Sequence, residues 1–182
     1  MSGYTSSQVM NLLSELQSTD LPGALHRVQH PGSQGASDHF GNLKARPSST
    51  SLESVSEFRV ALANHLQWGY STSLSCFLSV FDERKLAEDW ARTRYERAQS
   101  NRSLTSDTTT LHSISTEHLQ HTIVFPVSTL LSCFGMKSNR DITHELLIVD
   151  QIPARAITGQ TDIGSLVGQG KPINPLSLCY SL

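Results

Sequence analysis

Strand-length apolar runs and helical patterns alternate along this chain at irregular spacing. Residues 74–81 are apolar over a length that suits a buried strand, and no apolar run approaches the roughly 20 residues of a membrane-spanning helix. A doubly wound sheet requires regular β-α-β spacing, which this chain lacks. The pattern therefore predicts an α+β fold.

Three amphipathic helices are predicted where apolar side chains recur at helical spacing. The second has the clearest start, because Ser54 and Glu57 fit a capping box, in which each side chain satisfies a free backbone N–H group of the other residue. In chain order, the predicted helices begin at Ser6 or Ser7, at Ser54 and at Asp82, and they end before Pro22, at Gly69 and near Gln99.

The predicted strands are short and rich in β-branched or apolar residues. Pro126 places one of them at a sheet edge, because proline cannot donate a ladder hydrogen bond. The polar stretches 31–51 and 100–115 are predicted loops, and loops of that length tend to be functional or disordered. The predicted strands cover residues 24–28, 74–81, 121–127 and 141–150, with a short continuation at 154–158.

The chain of 182 residues has the length of one domain. An N-terminal helix is predicted within residues 1–20 and the domain itself within residues 21–158. Residues 159–182 contain several Gly and Pro residues, which predict a tail that lies across the domain or is disordered.

Charge and cysteine content restrict the partners and the compartment. Lys and Arg number 14 and Asp and Glu 16, which argues against an electrostatic nucleic-acid binder and against a polybasic membrane anchor. The N-terminus lacks the pattern of a secretory signal. Three widely spaced cysteines fit buried thiols in a reducing compartment. We therefore expect a cytoplasmic protein without a nucleic-acid or membrane partner.

Several short patterns resemble known functional motifs but lack a residue, a spacing or an environment that the motif requires. Residues 164–171 resemble a phosphate loop. However, five residues separate the first glycine from the Gly-Lys pair, where the motif has four, and Pro172 follows. Two closely spaced histidine pairs lack the cysteine pair of a zinc site, so no metal is predicted. Cys76 and Cys133 have apolar neighbours, which make a thiol inert. Trp90 lies on a predicted amphipathic helix, where we expect it to seal the core rather than stack on a ligand.

Three polar residues remain, each on a predicted strand: Arg27, Ser79 and Glu145. A lone polar residue on a strand most often faces solvent. Composition and spacing by themselves therefore do not define a function.

Several short motifs follow one another in a distinctive order. They are Leu25-His26-Arg27-Val28, His65-Leu66-Gln67-Trp68-Gly69, Phe77-Leu78-Ser79-Val80-Phe81-Asp82, Leu86-Ala87-Glu88-Asp89-Trp90-Ala91 and Glu145-Leu146-Leu147-Ile148-x-x-x-Ile152-Pro153. This order resembles an uncharacterised fungal domain family, whose members in turn look like distant relatives of the ADP-ribosyltransferase fold. The resemblance covers residues 21–158. It implies a small, bent or split, mixed β-sheet flanked by helices.

The resemblance also implies roles for three residues. In the Arg–Ser–Glu group of ADP-ribosyltransferases, the Arg opens the first strand, the Ser lies in a Ser-Thr-Ser-like strand and the Glu begins a late strand. Carried over, Arg27 would bind the phosphates of NAD, Ser79 would support the cofactor-binding site and Glu145 would be catalytic. A guanidinium suits pyrophosphate. A fixed carboxylate suits the positive charge that develops on ribose as the bond to nicotinamide breaks.

Two departures from the group's pattern leave the activity open. Val80 and Phe81 replace the Thr-Ser half of the strand motif, and Thr143 stands where many transferases carry a Glu or Gln that engages the acceptor. The resemblance implies that NAD is a substrate, whose ADP-ribose is transferred to an unidentified protein or small molecule or which is hydrolysed. The alternative is a catalytically inactive interaction domain with the same fold. Convergence of the three residues on one pocket would favour the enzyme.

Overall fold

The structure is a computed structural model, and it describes most of the chain between residues 11 and 167. The described residues are 11, 13–30, 32–33, 35–46, 54–66, 75–100, 108–139 and 141–167. Residues 13–16 are helical. The other α-helices are α1 (Val55–Leu66), α2 (Arg84–Ser100), α3 (Val127–Cys133) and α4 (Ile163–Val167).

Nine strands in the described ranges form two sheets. The strands are β1 (Ala24–Gln29), β2 (Gly35–Ser37), β3 (Leu43–Ala45), β4 (Phe77–Phe81), β5 (Thr110–Ser115), β6 (Val124–Pro126), β7 (Glu145–Val149), β8 (Gln151–Ile152) and β9 (Ile157–Asp162). The large sheet has the order β6-β7-β4-β1-β5-β9, and the small sheet has the order β2-β3-β8. The α+β class predicted from the sequence is confirmed.

The large sheet is split between its two central strands. β4 and β7 pair along five registered positions, and β1 and β5 pair along six. In contrast, β1 and β4 share one registered pair, His26 with Phe81. All of these pairings are antiparallel, as are the others between described strands. The predicted mixed sheet, which would combine parallel and antiparallel pairs, is therefore not found among the described strands.

The two faces of the large sheet are covered differently. Side chains alternate between the faces along each strand, so Leu78 and Val80 belong to one face and Phe77, Ser79 and Phe81 to the other. The first face packs on the small sheet through a core that includes Leu78, Val80 and residues of β3 and β8. The second face packs against helices α1 and α2.

Each helix covers one half of the second face. α1 begins with the predicted capping box, since Ser54 Oγ accepts from Glu57 N and the Glu57 carboxylate accepts from Ser54 N. Its buried Phe58 packs edge-on against Phe77 and Phe125, over the half that contains β4, β6 and β7. α2 covers the β1 and β5 half, where its small buried residues allow a close approach.

Several sequence predictions agree with these elements. β4 and β7 lie within predicted strands, and β1 extends one residue beyond the predicted strand 24–28. The strand that ends at Pro126 lies at the sheet edge as expected. Leu13 is buried in the core beside α1, as predicted for the first helix. The predicted helix starts at Ser6 or Ser7 and the predicted stop at Gly69 lie outside the described residues. No described helix combines the length and apolarity needed to cross a membrane.

Other predictions are wrong in their local structure. The stretch 100–115 is not a loop throughout, because Thr110–Ser115 forms β5 in the middle of the β1-β5-β9 half. Ser and Thr suggested a loop, but Thr also suits strands, and Leu111 and Ile114 fill the core. The stretch 31–51 contains β2 and β3. Strand β9 crosses residue 159, where the predicted tail begins, and residues 168–182 lie outside the described part.

Candidate functional site

A cleft of about 260 Å³ lies where β1 and β4 separate. β1 contributes Arg27 and β4 contributes Ser79 to its lining. The last turn of α1 contributes His65, and α2 contributes Trp90 and Arg94. Two residues singled out from the sequence therefore meet in one concavity.

Arg27 bridges the opening between the two strands. Its side chain is buried, with 5% of the residue exposed, and its Nη1 donates to the carbonyl oxygen of Ser79 at 2.9 Å. Among the described residues, its Nε has no hydrogen-bond partner. Burial lowers the pKa of Arg27 to about 10, so the guanidinium remains charged at neutral pH. Because β1 and β4 share one registered pair, the protonated Arg27 side chain gives the carbonyl oxygen of Ser79 the donor that the backbone of β1 would otherwise supply.

Gly35 on β2 makes room for this guanidinium. A Cβ at that position would lie 2.8 Å from Arg27 Nη2 and 2.7 Å from Leu78 Cδ2. Real Cβ atoms essentially never approach heavy atoms so closely. The absence of a side chain at Gly35 is therefore part of the arrangement that holds Arg27.

Ser79 belongs to a buried hydrogen-bonded chain of two hydroxyls and one imidazole. Its Oγ lies 2.8 Å from His65 Nε2, and His65 Nδ1 lies 2.8 Å from Ser75 Oγ. Ser75 Oγ also accepts from the backbone N–H of Phe77 at 3.1 Å. All three side-chain partners are buried. In a neutral imidazole one nitrogen donates and the other accepts, so the ring can satisfy both hydroxyls.

The cleft is cationic and partly aromatic. Arg94 lies 4.5 Å from the ring centre of Trp90, and the ring of His30 lies 5.5 Å from that of Trp90. Burial and the charges of Arg94 and Arg27 lower the pKa of His30 to about 4, so His30 is neutral at pH 7. Among the described residues that line the cleft, none is acidic.

Trp90 has the predicted core contact and a second position in the cleft wall. It packs against the core cluster of α2 and, in addition, forms part of the cleft wall. The predicted packing of Trp90 on the core is confirmed.

Glu145 lies near the cleft but is not among the described residues that line it. It is 2% exposed and pairs with Phe81, whose side chain is part of the wall. Because Ser79 pairs with Leu147, Glu145 is a diagonal neighbour of Ser79 on the same face. Such neighbours lie about 7–8 Å apart in antiparallel sheets. The three predicted residues are thus brought to one region, with Phe81 beside the carboxylate.

The residues before Glu145 are engaged in a turn. Thr143 donates its hydroxyl to Asp141 Oδ1 at 2.8 Å. His144 Nδ1 lies 2.8 Å from Asp82 Oδ1, and that hydrogen bond raises the pKa of His144. Asp82, predicted to start the third helix, thus holds the beginning of β7 instead, and α2 begins at Arg84.

The cysteines are partly as expected. Cys76 is buried, and burial raises the pKa of its thiol to about 11, in agreement with an inert packing role. Cys133 is exposed, so the prediction of a buried thiol is wrong there. In the described residues, no three His, Cys, Asp or Glu side chains are grouped so that they could hold a metal ion.

Sequence reasoning missed His65, His30 and Arg94 as parts of this site. A signal for His65 was present, because it follows Leu62 by three residues and so falls on the buried stripe of α1. A histidine on an apolar stripe needs a hydrogen-bonding partner. The two serines that serve as partners could not be named without the fold.

These features define an α+β protein with a split antiparallel sheet and an arginine-lined cleft at the split. Residues 20–166 match a family described as "Domain of unknown function (DUF7587)", and the chain belongs to that family. The prediction of an uncharacterised domain family is thereby confirmed. The match extends past residue 158 and includes β9 and most of α4. No curated protein matches the chain.

Proposed function

We propose that the cleft binds NAD, in a domain with an ADP-ribosyltransferase-like arrangement of the sheet. The observation that carries this proposal is the buried, charged Arg27, which donates from Nη1 to the carbonyl oxygen of Ser79 and belongs to the lining of a cleft in which no described lining residue is acidic. Guanidinium groups bind phosphate oxygens through paired N–H donors. Arg27 would therefore hold the pyrophosphate.

The remaining lining suits the rest of a dinucleotide. The rings of Trp90 and His30 line the cleft with Arg94 and give it an aromatic, cationic wall that suits a base. The volume of about 260 Å³ is slightly below the roughly 300–1,000 Å³ of small-molecule sites. The cleft would therefore enclose the pyrophosphate and one ring, while the rest of NAD extends outside it.

Two candidate outcomes of binding follow from Glu145. As a catalytic carboxylate it would stabilise the charge on ribose during transfer of ADP-ribose or hydrolysis of NAD. Its position beside Phe81, outside the described lining, favours the second candidate, a domain that binds the ligand for an interaction and does not turn it over. The acceptor in the first case is an unidentified protein or small molecule.

Binding is tested by titration calorimetry with NAD and with ADP-ribose. We expect Arg27→Met, which keeps the length and removes the charge, to weaken affinity about 100-fold, since a charge-assisted hydrogen bond contributes about 1.5–3 kcal/mol. The affinity of Arg27→Lys should fall between those of the wild type and Arg27→Met. Arg59→Met, on the exposed side of α1, is the matched control and should bind like the wild type. A folded wild-type protein that binds neither ligand would refute the proposal.

Turnover is tested separately by nicotinamide release. Release by the wild type that is lost in Glu145→Gln supports the enzyme, because this change keeps the shape and removes the charge. Binding of NAD without release by either protein supports the interaction domain.

A further inference from the structure

The imidazole of His65 has no task in the binding of NAD, yet both of its nitrogens are held. Its Nε2 lies 2.8 Å from Ser79 Oγ, its Nδ1 lies 2.8 Å from Ser75 Oγ, and its ring packs edge-on against Phe77 at 5.7 Å. A hydroxyl bonded to a base, which is itself oriented by a third group, is the arrangement that activates a nucleophile.

We propose that Ser79 is a nucleophile toward carboxylic esters that carry an anionic group, with His65 as its general base and Ser75 as the positioning residue of His65. This activity is separate from the binding of NAD. It uses a side chain of β4 that reaches the cleft and a histidine at the end of α1.

Ser75 holds the imidazole of His65 in an orientation in which Nε2 faces the hydroxyl of Ser79. The backbone N–H of Phe77 donates to Ser75 Oγ and so anchors that oxygen to the chain just before β4. When Nδ1–H of His65 donates to Ser75 Oγ, the lone pair of Nε2 points at the hydroxyl of Ser79. This is the tautomer in which His65 can take the proton of Ser79.

Arg27 supplies the positive charge beside the nucleophile. Its Nη1 bonds to the carbonyl oxygen of Ser79, so the guanidinium lies in the seam between β1 and β4, and Arg27 is part of the lining of the cleft. A fixed cation there can stabilise a developing oxyanion or hold an anionic acyl group. Phe77, Phe81 and Trp90 form an aromatic wall for the apolar part of the ester.

The reaction balances without any further reagent except water. Ser79 Oγ attacks the ester carbonyl carbon, and its proton moves to His65 Nε2. The C–O bond to the alcohol breaks, and the leaving oxygen takes the proton from His65, which leaves an acyl group on Ser79. Water, deprotonated by His65, then attacks the acyl carbon, and the Ser79 oxygen leaves with that proton. The products are a carboxylic acid and an alcohol.

The third group here is a hydroxyl rather than a carboxylate. Ser75 can orient the imidazole, but it carries no charge to stabilise the imidazolium that forms during attack. We therefore expect slow turnover and an acyl or phosphonyl adduct that accumulates on Ser79. Covalent labelling is accordingly the most sensitive readout.

The first experiment treats the full chain with a biotinylated fluorophosphonate and locates the adduct by mass spectrometry. We expect the adduct on Ser79 in the wild type and none in Ser79→Ala. His65→Gln should label at least 100-fold more slowly. The matched control is His112→Gln, because His112 is also buried, lies outside the described lining of the cleft and should label like the wild type.

The role of Ser75 needs a readout that general loosening of the fold would not change. Ser75→Ala should lower the labelling rate about tenfold and shift its pH profile, and Ser75→Thr, which restores a hydroxyl, should recover most of the rate. Unfolding midpoints of all variants establish that they are folded at the assay temperature.

The substrate class is tested with 4-nitrophenyl acetate and the mono-4-nitrophenyl ester of succinic acid. We expect kcat/KM to favour the anionic ester, and Arg27→Met to remove that preference. A folded wild type that is not labelled on Ser79, or equal labelling of wild type and His65→Gln, would overturn the proposal. Neither result would alter NAD binding measured by calorimetry, so the two proposals fail separately.

Discussion

Strand β4 has a different neighbour on each side, and the two seams are built in opposite ways. On the closed seam, between β4 and β7, five registered pairs run from Phe77 to Phe81. On the open seam, between β4 and β1, one registered pair remains, and the Arg27 side chain donates to the backbone of Ser79. Arg27, His65 and Ser79 are buried polar residues near the open seam, whereas Glu145 is buried at the end of the closed one.

The difference has a physical cause. A complete ladder satisfies its own backbone groups, so apolar side chains can cover it without penalty. Where the ladder stops, buried carbonyl and N–H groups need other partners, and polar side chains must be buried to supply them. Arg27 is buried for this reason, because it donates to the carbonyl oxygen of Ser79, and the buried His65 and Ser79 side chains bond to each other beside it. These groups are the ones that can bind or transform a ligand.

The largest effect on stability should come from the closed seam. Phe58 is fully buried against Phe77 and Phe125, and Phe58→Ala should lower the free energy of unfolding by about 3–5 kcal/mol. Val60→Ala, on the same helix but 57% exposed, should change it by less than about 0.5 kcal/mol. Urea unfolding measures both. A loss below about 1.5 kcal/mol for Phe58→Ala would show that this side is not the stable one.

The next effect is a pH dependence that belongs to the open-seam half. Burial, with the charge of Arg27, lowers the pKa of His112 to about 4, so this histidine is neutral in the folded protein at pH 7. The unfolded chain binds the proton near pH 6.5. Stability is therefore complete above that pH and is lost as the pH falls toward 4, by up to about 3 kcal/mol from this group.

Urea unfolding at pH 7, 5.5 and 4.5 measures that loss. His112→Gln should unfold with a smaller pH dependence, although not a flat one, because the pKa of His30 is also lowered to about 4. Identical pH dependence in the wild type and the variant would assign the sensitivity to other groups.

A smaller effect tests how tightly the guanidinium is packed. Gly35→Ala places a Cβ against Leu78, Arg27 and the backbone oxygen of Lys44, and overpacking of this kind costs about 1–3 kcal/mol. Gly23→Ala is the matched control, because a Cβ at that position would meet nothing within 4 Å and little change is expected. Thermal unfolding compares the two variants. Equal stability would mean that Arg27 can shift at no cost.

The smallest effect concerns the helix that carries His65. Ser54→Ala removes one half of the capping box and should lower the unfolding free energy by about 1 kcal/mol. Ser56→Ala, exposed inside the same helix, should be neutral or slightly stabilising because alanine favours helices. Labelling of Ser79 should be unchanged in both, since the cap lies at the opposite end of α1. A lower labelling rate in Ser54→Ala alone would link the cap to the cleft.

Local sequence patterns predicted the elements whose start or position depends on residues that are close together in the chain. The capping box at Ser54 and Glu57 defined the start of α1, and Pro126 defined an edge strand. β5 could not be recognised in this way, because its polar His112 and Ser113 lie next to Leu111 and resemble a loop when read alone. Its strand character comes from pairing with β1 and β9 on both sides.

The candidate site was predictable only in part for a similar reason. Arg27 and Ser79 were singled out through a family resemblance, and no local pattern joins residues 52 positions apart. The bond from His65 to Ser79 depends on where the end of α1 meets β4. Trp90 and Arg94 reach the cleft because α2 packs over β1, a fact of tertiary structure rather than of composition.

His26 and Phe81 are the one registered pair between β1 and β4, a single rung about which the two halves of the split sheet can rotate. Gln29, the last residue of β1, lies three residues from that rung, or about 10 Å along an extended strand. A rotation of about 6° around the rung would move that end by about 1 Å, enough to make or lose a hydrogen bond. The width of the cavity is therefore governed by how stiffly this pair and the bond from Arg27 to Ser79 join the two halves of the sheet.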